Sequence, residues 1–139
     1  MKDIIISNSA EETLEFGEKL GKKLKKNTLI ALYGEFGAGK TVFVKGIAKG
    51  LDCNIDVNSP SFVFMNEYQC KIPLYHIDLY RINKLEDVLS LGLDELFESQ
   101  GVCVIEWAEK ATKLLPAKRI DIKINILDDG NREIEIINR

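Results

Sequence analysis

Apolar positions along this chain switch between two spacings, and each switch marks an element. Ile4-Ile5-Ile6 opens as a short strand. Ala10, Leu14, Gly17, Leu20 and Leu24 then recur at helical spacing. Ser9 followed by Glu12 forms a capping-box start, so a helix is expected to about Lys25. Thr28–Tyr33 is a short apolar, partly β-branched run and reads as a buried strand. Val44, Ile47 and Ala48 share one side of a helix over 42–49, and Gly50 sits where that helix should stop. Pro60 pushes Ser59 out of helical geometry, so 58–61 is a turn-rich segment. Phe62–Tyr68 and Leu74–Asp78 read as strands, and Leu85–Gln100 as helical with a break near Gly92. Val102–Glu106 is another buried strand. Ile120, Ile122, Ile124 and Ile126 alternate with Asp121, Lys123 and Asn125, the pattern of a half-exposed strand. Asp129-Gly130 is a hairpin turn, with Ile134 and Ile136 alternating on its return arm. Strands alternate with helices early and a hairpin closes the chain. The expected class is α/β with a mixed, mostly parallel sheet, in one domain spanning 1–139.

One junction carries chemistry. Gly34-Glu35-Phe36-Gly37-Ala38-Gly39-Lys40-Thr41 matches the phosphate-binding loop G-x-x-x-x-G-K-[ST]. It lies between an expected strand and an expected helix, the context that gives the motif its meaning. Gly34, Gly37 and Gly39 can take positive φ and let the backbone approach a ligand closely. The loop N–H groups and the positive end of the following helix dipole then face phosphate oxygens. Lys40 is expected to bridge the β- and γ-phosphates, and the Thr41 hydroxyl to hold Mg²⁺. The expectation is a three-layer fold like that of the phosphate-loop NTPases.

Such a site needs a second acid at the end of a buried strand, to anchor the metal's water shell or orient the attacking water. Asp78 and Glu106 each end an apolar strand run, and in open α/β sheets the ligand lies at that edge. Either acid taken alone could be a plain surface carboxylate. His76, the single histidine, shares a strand face with Asp78 and reads first as a hydrogen-bonded structural residue. Ser59 and Ser61 either cap a turn or reach the γ-phosphate as a switch. Trp107 should point away from the Glu106 side if the strand continues, as a core or interface residue or as part of the pocket wall.

Bulk properties narrow the class. With 139 residues and 45% hydrophobic content, the chain can bury a full core. A net charge of −3 argues against nucleic-acid binding by charge alone. Lys22, Lys23, Lys25 and Lys26 crowd the end of the first helix, where they suit its dipole and a solvated surface better than a partner patch. Cys53, Cys70 and Cys103 are odd in number and lack C-x-x-C spacing, so neither a disulfide framework nor a zinc site is expected. No apolar stretch reaches membrane-spanning length and no signal-peptide core opens the chain. A reducing cytoplasm is the simplest compartment.

Together, Gly34–Thr41, Ser-Pro-Ser-Phe at 59–62, His-Ile-Asp-Leu-Tyr-Arg at 76–81 and Ile-Glu-Trp at 105–107 closely resemble the TsaE family, formerly YjeE. The resemblance covers essentially the whole chain. It implies an ATPase required for making threonylcarbamoyladenosine in tRNA, in the company of TsaD and TsaB, with any tRNA contact indirect. By resemblance, Glu35, Phe36, Gly37, Ala38, Gly39, Lys40 and Thr41 bind ATP, Thr41 and Glu106 hold Mg²⁺, and Asp78 is needed for hydrolysis. The 59–62 segment resembles the family's mobile switch, and Ser9 and Arg132 resemble residues near the adenosine. Val42 stands where a second Thr often follows, and Ser61 replaces a frequent Thr. A competing reading is a small-molecule kinase. Such kinases use several lid arginines, whereas here the arginines are Arg81, Arg119, Arg132 and Arg139. A third reading is a nucleotide sensor that does not hydrolyse.

Overall fold

The computed structural model of the chain describes residues 2–35, 37–53, 65–90 and 92–139. Its strands are β1 (Lys2–Ser7), β2 (Thr28–Gly34), β3 (Met65–Tyr68), β4 (Leu74–Asp78), β5 (Val102–Glu106), β6 (Ile120–Ile126) and β7 (Arg132–Asn138). Its helices are α1 (Ala10–Lys23), α2 (Lys40–Gly50), α3 (Leu85–Leu89) and α4 (Leu93–Phe97), with a 3₁₀ segment at Ala108–Leu114. Among the described residues these strands form one sheet in the order β1-β7-β6-β2-β5-β4-β3. The central strands β6, β2, β5 and β4 are mutually parallel. β7 pairs antiparallel with β6 and β1, and β3 antiparallel with β4, so β3 and β7 alone run against the others. The expected mixed, mostly parallel sheet with a closing hairpin is the one observed.

Burial explains the strand sequences. Every residue of β5 is buried, which is why Val102–Glu106 is continuously apolar up to its last position. The two faces pack separate cores. Ile30, Leu32, Leu74, Val102 and Val104 meet Phe43, Val44 and Ile47 of α2. Leu29, Ala31, Ile77, Cys103 and Ile105 meet Val88, Leu93 and Ala108 on the other side. Each such side chain taken fully from water contributes roughly 1.5–3 kcal/mol. The strand period of two carries this division to the site: His76 and Asp78 follow Leu74, and Glu106 follows Val104, on the α2 face.

α1 lies on α2 through glycines spaced four apart in each helix. A Cβ at Gly17 would come within 3.0 Å of the Phe43 carbonyl oxygen, and one at Gly46 within 3.0 Å of that of Leu14. Gly21 and Gly50 meet equally tightly one turn on. Gly50 is the last residue of α2, where the helix was expected to stop, and α1 approaches too closely there for a side chain. α1 ends at Lys23 with Leu24 extended, so Lys25 and Lys26 lie in the exposed connection beyond it.

Other expectations shift in detail. Gly92, at φ 70°, separates α3 from α4 as the break required. The strand expected over 62–68 is described from Met65, its first residues lying outside the described chain. Asp121 breaks the exposed alternation of β6: it is buried, with Arg119 Nε at 2.8 Å and Arg139 Nε also on its carboxylate. The expected lack of a disulfide is corrected, because Cys53 and Cys70 are bonded and Cys103 alone is a thiol. The turn after α2 meets the β3–β4 turn, where Lys71 N–H donates to the Leu51 carbonyl at 3.0 Å. A separation of 17 residues carried no sign of that meeting. Among the described residues no helix is long and apolar enough to cross a membrane.

Candidate nucleotide site at the sheet edge

β2 runs into the glycine loop and α2 starts at Lys40. Gly37 and Gly39 sit at φ 76° and 101°, backbone that a side chain would strain. Gly39 is the N-cap of α2 and, among the described residues, no side-chain cap bond is made there. Its N–H groups therefore point out of the helix start toward any anion held by the loop. Thr41 is half-buried in the same turn. Ala38 is buried and its N–H donates to the Glu35 carbonyl at 3.1 Å; Glu35 itself is exposed. Phe36 and the 59–62 segment lie outside the described residues.

Arg132, at the start of β7, ties this loop to the closing hairpin. Its Nε donates to the Ala38 carbonyl at 3.1 Å and its Nη2 to that of Gly37 at 3.0 Å. Its Nη1 donates to the Gly130 carbonyl at the turn. A cavity of ≈ 250 Å³ opens beside this contact, lined by Ser9, Thr13, Gly37, Ala38, Gly39 and Arg132 among others. The start of α1, the loop and the hairpin thus converge on one pocket. The Ser9 hydroxyl is engaged in capping, accepting from Glu12 N–H at 3.1 Å, while Glu12 reaches back to Asn8 N–H at 2.9 Å. A larger cleft, ≈ 760 Å³, lies at the opposite end of β2 and β6, bounded by Asn27, Thr28 and Arg119, away from these groups.

Lys40 is 6% exposed and its ammonium has no hydrogen-bond partner among the described residues. It sits 3.9 Å from the centroid of the Trp107 ring. Burial pulls its pKa below the ordinary value, while the carboxylates of Glu106, Glu109 and Asp78 oppose that shift. Trp107 does not continue β5. It turns left-handed at φ 57°, which swings the ring toward the loop and places it 5.1 Å from Tyr80.

The two acids lie side by side. Asp78 and Glu106 are register partners on adjacent parallel strands, and Glu106 is also level with Leu32, just before the loop. Glu106 is 3% exposed and hydrogen-bonded to His76 Nε2. Asp78 is half-buried and its Oδ1 accepts the Tyr80 N–H at 2.9 Å. His76 is fully buried and its Nδ1 has no partner among the described residues. No cluster of three or more His, Cys, Asp or Glu that could hold a metal occurs among the described residues. Mg²⁺ needs no such cluster, since it is held by one or two protein oxygens with phosphates and waters completing its shell. The Thr41 hydroxyl in the first turn of α2 and the Glu106 carboxylate at the end of β5 are oxygen donors of the kind it takes.

Sequence reading missed Glu109 and Lys110. The 3₁₀ segment that carries them had no periodic signal, yet Glu109 acts on Lys40 and Lys110 Nζ donates to the Tyr80 carbonyl.

A glycine loop between β2 and α2, with in-register acids on the next strands, defines an α/β protein of the phosphate-loop NTPase type. The family model described as "Threonylcarbamoyl adenosine biosynthesis protein TsaE" matches residues 7–134. The chain is 40% identical over 131 residues to the tRNA threonylcarbamoyladenosine biosynthesis protein TsaE of Treponema pallidum, covering 94% of this chain and 97% of that one. It is 42% identical over 125 residues to the Bacillus subtilis protein of the same name, covering 89% and 78%. The crystal structure of Bacillus subtilis YdiB superposes with a TM-score of 0.84 at 34% identity, over 99% of this chain and 86% of that one. The chain belongs to the TsaE family of tRNA threonylcarbamoyladenosine biosynthesis proteins.

Proposed function

We propose that this chain binds and hydrolyses ATP as a cytoplasmic subunit serving threonylcarbamoyladenosine formation in tRNA, together with TsaD and TsaB. One observation carries the reading: Lys40 holds a buried ammonium without a hydrogen-bond partner among the described residues, at the mouth of the loop and beside the Asp78–Glu106 pair. A desolvated cation in that position favours a polyanionic ligand strongly.

In this reading the loop N–H groups and the start of α2 hold the phosphates. Lys40 leaves Trp107 to reach the β- and γ-phosphate oxygens. The adenosine occupies the cavity between Ser9 and Arg132. Thr41 and Glu106 would hold Mg²⁺, which when bound would supply positive charge to offset that developing on the phosphates. Asp78 accepts a hydrogen bond from the attacking water and orients it toward the γ-phosphorus. The 59–62 segment serves as the switch. Arg132 is committed to the loop and Arg81 is exposed, so no arginine of this pair neutralises the transferring group from its place in the fold. Partners then complete the site, and tRNA is reached through them.

The test is phosphate release by the chain alone and with the TsaD–TsaB pair. Slow turnover alone and clear stimulation by the pair are expected. Equal rates would overturn the partner-dependent mechanism, and no hydrolysis in either sample would leave a nucleotide sensor.

A further inference from the structure

We propose that His76 is a positioning residue for Glu106: its Nε2–H holds one carboxylate oxygen and leaves the other for the metal. This rests on the reading of Glu106 as a metal ligand.

The position itself argues against a packing role. His76 lies on β4 between Leu74 and Asp78 on the α2 face, level with Val104 of β5. Leu74 and Val104 are buried and apolar, and His76 is buried as completely as they are. An imidazole there costs desolvation that a Leu or Met would not, and an Nδ1 with no partner among the described residues keeps part of that cost in the folded protein. Among the described residues the ring gains one bond, to the Glu106 carboxylate across 30 residues of sequence. An ionised carboxylate can only accept, which assigns the proton to Nε2. Glu106 is itself buried, and a carboxylate so placed has rotamers that do not all reach the sheet edge. Fixing one oxygen from the strand beside it removes that freedom before the metal arrives. Outer partners of metal-binding carboxylates act in this way, and their loss typically costs about 10–100-fold in metal affinity or activity.

The experiment compares His76→Gln with His76→Met in the full-length chain. Gln carries an amide N–H close to the place of Nε2, and Met has the same shape without a donor. A non-hydrolysable ATP analogue is titrated calorimetrically, first in EDTA and then at graded Mg²⁺. His76→Met should raise the half-saturating Mg²⁺ about 10–100-fold, leave the affinity in EDTA unchanged, and His76→Gln should restore most of the loss. Equal Mg²⁺ responses in the two variants, or an equal loss of affinity in EDTA, would overturn the proposal. Glu106→Gln is run alongside. If it leaves the Mg²⁺ response unchanged, the metal reading itself fails. If it alters that response while His76→Met does not, only the positioning role fails.

A measurement on the unaltered protein covers the case in which a variant does not fold. His76 is the single histidine, so ¹⁵N-histidine labelling yields one imidazole spectrum. The Nε2–H tautomer is expected, with a shift when Mg²⁺ is added to the analogue complex. A proton on Nδ1 with Nε2 bare, or no shift on adding Mg²⁺, would contradict the proposal.

Discussion

Lys40 Nζ lies 3.9 Å from the centre of the Trp107 ring, a cation resting on an aromatic face. Such a contact is worth about 2 kcal/mol or somewhat more when desolvated, less than the summed charge-assisted bonds to several phosphate oxygens. A ligand should therefore pull the ammonium off the ring. Lys40→Met removes the cation and keeps the packing. We expect nucleotide affinity to fall at least about 100-fold, equivalent to roughly 2.7 kcal/mol. Because the buried charge has no hydrogen-bond partner among the described residues, the melting temperature without nucleotide should stay level or rise. Trp107, the single tryptophan, should change emission on ATP addition in the parent and not in the variant. A variant that binds ATP normally would remove Lys40 from the site.

Asp78 and Glu106 are level across β4 and β5 yet differ in surroundings, which separates their expected roles. Glu106 is buried and held by His76; Asp78 is half-buried and closes a turn with Tyr80 N–H. Glu106→Ala should weaken nucleotide binding only when Mg²⁺ is present. Asp78→Ala should leave that binding nearly intact and slow turnover about 100-fold or more, the scale for losing a positioned base or water-orienting group. Parental hydrolysis rates for both variants in the complex with TsaD and TsaB would remove both roles.

Much of this site was legible before the fold was known. β4 and β5 have the expected bounds because each is an apolar run ended by an acid and flanked by turn residues. The loop was legible because its glycines and Lys-Thr are set by backbone chemistry. Register was not: nothing local says that Asp78 and Glu106 are level, or that His76 bonds Glu106 rather than a backbone group. The turn at Trp107 was hidden for a related reason, since its left-handed backbone ends the strand without Gly or Pro. Gly50 ends its helix as expected, but its part in the α1 contact was hidden, because a glycine that ends a helix and one that admits a neighbouring helix look alike in one dimension. Cys53 and Cys70 were unreadable as a pair for want of the same tertiary contact.

The α1–α2 contact gives a prediction about stability alone. At Gly46 an added methyl group would meet the Leu14 carbonyl oxygen inside 3.0 Å, and backbone cannot give way as a flexible side chain would. Gly46→Ala should destabilise by about 1–3 kcal/mol even though alanine favours the helix. Thermal unfolding is expected to shift down by about 3–10 °C. A rise in melting temperature would mean that the helices are less closely packed than described.

Alkaline stability should depend on Cys103. Burial on β5 pushes its thiol from 9.0 up to about 12. The folded pKa is the higher one, so the folded chain keeps a proton that the unfolded chain releases. Stability from this source is complete below 9.0 and declines as pH rises from there toward about 12. Tyr33, also raised by burial, adds to the same trend. Cys103→Ala should flatten the decline in melting temperature between pH 9 and 11 relative to the parent. Iodoacetamide at pH 8 should leave Cys103 unmodified until the chain is unfolded. Rapid labelling of the folded protein would contradict the burial.

Arg132 offers the sharpest separation of charge from geometry. Its guanidinium spans the carbonyls of Ala38, Gly37 and Gly130 at once, joining the glycine loop to the hairpin. A lysine could bring the charge but cannot bridge the same carbonyls with one planar fork. Arg132→Lys and Arg132→Ala should therefore behave alike, each lowering ATP affinity about 10-fold or more as the loop loses its fixed shape, roughly 1.4 kcal/mol. The loss should be largely insensitive to salt between 50 and 300 mM, because bonds to neutral carbonyls are not a long-range charge effect. If Arg132 instead acted mainly by attracting the phosphates, Arg132→Lys would bind nearly as well as the parent and the Arg132→Ala deficit would shrink as salt was added. Calorimetry on the two variants at low and high salt distinguishes a brace for the loop from a charge for the ligand.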